Sequence, residues 1–165
     1  MTAFSSLKIE RSAWQTILTC TLALWLGGSL VLDMVVVPSL WAAGMMTQPG
    51  FASAGYLTFG WFNHCELMLA GIVLTGVLAI ERNRRWGETQ KLFEIGLAAL
   101  LLAIALIDTY LMTPHLSALG LQLNLFDPAI GMPEGMISMH LGYWALELLK
   151  FGSVGTLLAL FGRNS

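Results

Sequence analysis

Charge is what this chain has least of. Lys, Arg, Asp and Glu together make up 11% of its 165 residues, where a typical soluble domain carries about 25%. Hydrophobic residues make up 56% and the mean hydropathy is +0.73, so the solvent such a chain requires is lipid. The net charge of −2 leaves no basic field to attract nucleic acid. Cysteine is scarce as well. Cys20 and Cys65 lie far apart in apolar stretches, which argues against a disulfide framework and fits no CxxC or zinc-type spacing. Nucleophile triads, phosphate-binding glycine loops and dinucleotide fingerprints are missing, so no motif marks an enzyme. There is no internal repeat, low-complexity tract or second domain.

What is present is four long apolar runs, at about Trp14–Val37, Phe59–Ile80, Leu92–Met112 and Met136–Phe161. Each has at least 21 residues, and a helix needs about 20 to cross the hydrocarbon core. The runs are continuous rather than alternating, unlike the ~10-residue strands of a membrane barrel. The predicted fold is an all-α membrane protein, a single four-transmembrane-helix bundle over residues 1–165. Pro38 is expected to close the first helix and Pro114 the third, with Pro133 where the fourth begins. The first run exceeds the ~7–15 apolar residues of a signal peptide and reads as an uncleaved span.

Basic residues set the expected orientation. Lys8 and Arg11 precede the first span, Arg82, Arg84, Arg85 and Lys91 fill the second connection, and Arg163 follows the fourth span. The first and third connections, Pro38–Thr58 and Thr113–Gly135, contain no Lys or Arg. The positive-inside rule then places both termini in the cytoplasm. The first outer connection carries no charge at all, and the second spaces Leu116, Leu119, Leu123 and Phe126 at roughly helical intervals. Both read either as interfacial helices covering the bundle mouth or as ordinary ordered loops.

Ionisable groups inside the spans are the informative residues, since each costs about 2.5–3.5 kcal/mol at the bilayer centre on insertion scales. Asp33, His64, Glu66, Asp108, His140, Glu147 and Lys150 all map to the outer half or the middle of the spans, and Glu94 to the cytoplasmic end of the third. On the fourth span His140, Tyr143, Glu147 and Lys150 share one helical face, and Glu147 and Lys150, three apart, can pair. Asn63 and Glu66 share a face of the second span. The expectation is a polar pocket lined by Asp33, Asn63, Glu66, Asp108, Tyr143, Glu147 and Lys150, open toward the outside and deepest at Lys150. The competing reading is interhelical glue, worth about 0.6–2 kcal/mol per hydrogen bond.

Two further patterns deserve weighing. Met45, Met46, Met112, Met132, Met136 and Met139 gather near the outer face with His64, His115 and His140. Thioether and imidazole suit copper(I), and paired histidines suit haem, although Met is also a common filler of apolar helices. The small residues Gly27-Gly28, Gly71 with Thr75, and Gly152 with Thr156 are expected at close helix approaches.

The chain resembles the family called domain of unknown function 4149, which includes the animal transmembrane protein 205. The resemblance rests on Trp25-Leu26-Gly27-Gly28 with Pro38, then Phe59-Gly60-Trp61-Phe62-Asn63 with Glu66. Tyr110 with Thr113-Pro114 continues it, and His140, Tyr143, Trp144, Glu147 and Lys150 complete it. The uncharged first outer loop and HLGYWALELLK in span four are most similar to cyanobacterial members, which would place the chain in a plasma or thylakoid membrane. The resemblance implies a four-helix bundle distantly similar to copper resistance protein D and the HemJ-type proteins. The haem-ligating histidine expected in the first span of the HemJ type has no counterpart here, and animal relatives are associated with export of thiophilic metal drugs. Three functions are compatible with these residues: a small transporter or accessory channel, a haem- or copper-binding membrane protein, and a non-catalytic subunit or assembly factor of a larger membrane complex, with other membrane subunits or further copies of the chain as partners.

Overall fold

A computed structural model describes residues 2–45, 50–82, 88–125 and 135–163. The described residues are almost wholly helical: α1 (Thr2–Val31), a π-helical turn (Leu32–Val36), α2 (Val37–Ala42), α3 (Phe51–Glu81), α4 (Glu88–Ile107), a second π turn (Asp108–Met112), α5 (Thr113–Leu125) and α6 (Met136–Arg163). Four continuous segments are long and apolar enough to cross a membrane: Ala13–Ala42, Ser53–Glu81, Glu88–Gly120 and Ile137–Arg163. The chain is a four-helix membrane bundle.

Neither Pro38 nor Pro114 ends a helix, contrary to expectation. The reason is the π turn that precedes each. Val37 donates its N–H to Leu32, and Thr113 donates to Asp108, both five residues back. A π turn widens the helix locally, so a proline that follows it neither breaks the regular bond pattern nor collides with the carbonyl four residues behind. Bilayer helices tolerate proline where such local adjustments re-satisfy the backbone. As a result α5 is the direct continuation of the third span rather than a separate interfacial helix. Leu116 and Leu119 are half-buried on it. The side chain of Leu123, and Phe126, Pro133, Met46, Met132, Arg84 and Arg85, lie outside the described residues, as does the side chain of Met136.

The spans form a square. α1 packs on α3, α3 on α4, α4 on α6 and α6 on α1, while the diagonal pairs α1–α4 and α3–α6 stay apart. One inward stripe per helix, at alternating spacings of three and four, builds the core. It runs Leu18, Leu22, Trp25 on α1, Ala70, Val73, Val77, Ile80 on α3, Ala98, Leu101, Ala105 on α4, and Val154, Leu157, Phe161 on α6. Each stripe continues in register into polar residues: Ser29 and Asp33, Glu66 and Asn63, Asp108 and Thr109, Lys150 and Glu147. One half of the bundle core is therefore apolar and the other polar. The apolar half ends on two more buried acids, Glu94, which accepts from Gln90 Nε2 at 2.7 Å, and Glu81. Large apolar side chains such as Leu24, Trp61, Met68 and Leu148 point outward, where lipid replaces water.

Of the glycines expected at close helix approaches, Gly28 alone faces another helix. A Cβ on Gly27, Gly71 or Gly152 would touch nothing, and on Gly28 it would make ordinary contact with Phe62. Thr75 and Thr156 simply return their hydroxyls to the carbonyls of Gly71 and Gly152 on their own helices. The close approach is at Gly76, where a Cβ would stand 2.7 Å from Leu18 Cδ2. This lets the inward stripe of α1 seat directly against α3.

Candidate functional site

The centre of the polar half is Glu66. Its Oε1 accepts from Trp25 Nε1 at 2.8 Å, Ser29 Oγ at 2.8 Å and Lys150 Nζ at 2.6 Å. Lys150 crosses the open diagonal of the square from α6 to reach it. The same ammonium donates to Glu147 Oε1 at 2.6 Å. Only a long side chain bridges helices whose backbones stay apart, and the stem of Lys150 does so while its charge is held between two carboxylates.

One helical turn from this centre lies a second polar layer. Tyr143 donates to Asp33 Oδ1 at 3.4 Å. Asn63 Nδ2 donates to Thr113 Oγ1 at 2.6 Å, and Thr109 donates to Ala105 O at 2.6 Å and more weakly to Asn63 O at 3.4 Å. Tyr143 also packs edge-on against Phe59. Asp33 and Asp108 both sit in the first turn of the π segments, in register with the inward stripes of their spans. The carboxylates and Lys150 are between 1% and 4% exposed.

The charges do not balance. Asp33, Glu66, Asp108 and Glu147 face a single ammonium, a formal −3. Among the described residues, four buried carboxylate oxygens in this half accept no hydrogen bond: Asp33 Oδ2, both oxygens of Asp108, and Glu147 Oε2. Asp108 lies in electrostatic range of Asp33, Glu66 and Lys150 yet bonds to none of them.

Trp25, Ser29, Thr109 and Thr113 belong to this network beyond the pocket residues expected from sequence, Trp25 and Thr113 having entered only through the resemblance. Hydroxyl and indole groups in a span carry no insertion penalty large enough to flag them, and only their place on the inward stripe connects them. Glu81 falls just past the second apolar run, yet its place four residues after Val77 puts it on that stripe too.

The histidines lie elsewhere. His64 is exposed and donates from Nδ1 to Gly60 O at 2.6 Å, with Tyr110 against its ring. His115 is exposed and bonds Leu111 O at 2.8 Å in the same way. His140, in the second turn of α6, is exposed although it shares a helical face with Glu147 and Lys150. Among the described residues no group of three or more His, Cys, Asp or Glu side chains is placed to hold a metal ion. His64, His115 and His140 thus stand outside the buried carboxylate network. Comparison with family models, with curated proteins and with solved structures finds no match to this chain.

Proposed function

We propose that the protein binds a small cationic solute in the polar half of the bundle and carries it across the membrane. Asp108 is the observation that supports this most strongly. A clamp between helices returns about 0.6 kcal/mol per hydrogen bond in a membrane, whereas an ionised group there costs about 2.5–3.5 kcal/mol. Glu66, with three donors, is consistent with a clamp. Asp108, buried with neither oxygen bonded, returns nothing to the fold, and a positively charged visitor would compensate it.

In this reading both termini are cytoplasmic and the polar half is the outer half, because Lys8, Arg11, Lys91 and Arg163 all fall at the other end. A fluorescent-protein fusion at the C-terminus should then fluoresce in intact cells, and a dark but fully produced fusion would reverse the assignment. We also propose that the chain belongs to the family called domain of unknown function 4149. What supports this is that Trp25, Glu66, Glu147 and Lys150, all among the residues of the resemblance, form one bonded network.

Transport itself is tested with purified protein in proteoliposomes, measuring uptake of Na+, K+ and methylammonium. Glu147→Gln keeps the side-chain shape and leaves Lys150 paired with Glu66. Uptake by this variant is expected to fall at least tenfold, with helicity and elution volume unchanged. Uptake at the wild-type rate would reject the pocket as the route.

A further inference from the structure

Two of the unbonded oxygens belong to neighbours. Asp33 accepts from Tyr143, one turn before Glu147 on α6, which brings the carboxyl groups of Asp33 and Glu147 within reach of one another. Each uses one oxygen on a protein donor, Tyr143 at Asp33 Oδ1 and Lys150 at Glu147 Oε1. Asp33 Oδ2 and Glu147 Oε2 have no donor. Ionised carboxylates only accept hydrogen bonds, so two in contact have nothing to offer each other. Two like charges that close in a site shielded from water do not both ionise. A single proton meets both difficulties: one carboxyl becomes a donor, the other remains an acceptor, and the pair carries one negative charge.

The surroundings leave this role to a proton. Glu66 faces the pair from α3, Asp108 from the π turn of the third span, and Tyr143 and Lys150 from α6. Lys150 is the one cation among these groups, and it is already committed to Glu66 and Glu147. Among the described residues, no side chain facing the pair supplies a second positive charge.

We propose that Asp33 and Glu147 share one proton, and that a cationic solute entering beside Asp108 displaces it, so that the protein works by proton exchange. This rests on the transport reading above. As the cation arrives, the O–H bond of the pair breaks and the proton leaves to water. Both carboxylates then remain ionised beside the new positive charge. For a monovalent solute the total charge of the pocket does not change.

Infrared spectroscopy of the full-length protein in lipid nanodiscs reads a protonated carboxyl from its C=O stretch, which shifts on deuteration. Wild type should show the band. Asp33→Asn and Glu147→Gln should each lose the same component, and the double variant should lose no more than either alone. A wild-type spectrum without the band overturns the proposal without any variant having to fold, and so does full intensity in both single variants. The exchange step is read separately, with a pH dye in proteoliposomes given Na+, K+ or methylammonium. One proton released per cation taken up supports exchange, and cation uptake without proton movement overturns exchange while the transport reading survives. If the band behaves as expected but no probe is taken up, the shared proton stands and the transport reading fails with the exchange.

Discussion

Lys150→Met is expected to destabilise the bundle by about 3–5 kcal/mol, the range found when one partner of a buried ion pair is removed. Methionine fills much of the same volume, so the loss is electrostatic rather than a cavity. Glu66 would keep Trp25 and Ser29 as donors, but Glu147 would lose the ammonium that donates to its Oε1. The cost should therefore reside largely in Glu147 and be relieved by neutralising it. Lys150→Met combined with Glu147→Gln should be more stable than Lys150→Met alone, with a coupling of at least about 1 kcal/mol. The measurement is denaturation of the four proteins of the cycle in mixed micelles, followed by tryptophan fluorescence. Strict additivity would show that Lys150 and Glu147 do not act as a pair.

The same residues show what was legible beforehand. Four spans follow from run length alone, because about 20 apolar residues have few other uses. The Glu147–Lys150 pair follows from a spacing of three on one helix. The partnership of Lys150 with Glu66 does not, since it crosses the bundle diagonal between α6 and α3, and helix periodicity carries no information about which faces meet. Prolines misled for a definable reason. A proline normally ends a soluble helix, but the π turns at Leu32–Val36 and Asp108–Met112 absorb its missing N–H, and nothing local in the sequence announces a π turn. His140 misled in the opposite way. It holds the right face of α6 but lies too near the start of that helix to be enclosed. Facing inward and being buried are separate conditions, and only the first is written in periodicity.

Both π turns also carry a buried aspartate, Asp33 in one and Asp108 in the other. Irregular backbone inside a membrane is tolerated where protein or a water-filled site surrounds it, and π turns recur at functional sites. Two spans of the square thus bring the same combination of a widened turn, an acid and a following proline to the polar half. The other two spans bring Glu66 and Glu147 with Lys150. The polar half is supplied by every helix, which is what a site at the centre of a bundle requires.

Asp108 separates glue from function more sharply than any other residue. If buried polar groups here serve only to hold helices together, Asp108→Asn should cost stability or change nothing. If Asp108 is kept for a ligand, removing an uncompensated buried charge should stabilise the empty protein, by about 1 kcal/mol or more, while destroying its activity. The same denaturation assay reads the first effect. The decisive measurement is uptake of Na+, K+ and methylammonium by proteoliposomes holding Asp108→Asn at wild-type density. The account predicts uptake at the protein-free rate from a variant at least as stable as wild type; uptake at the wild-type rate would contradict it.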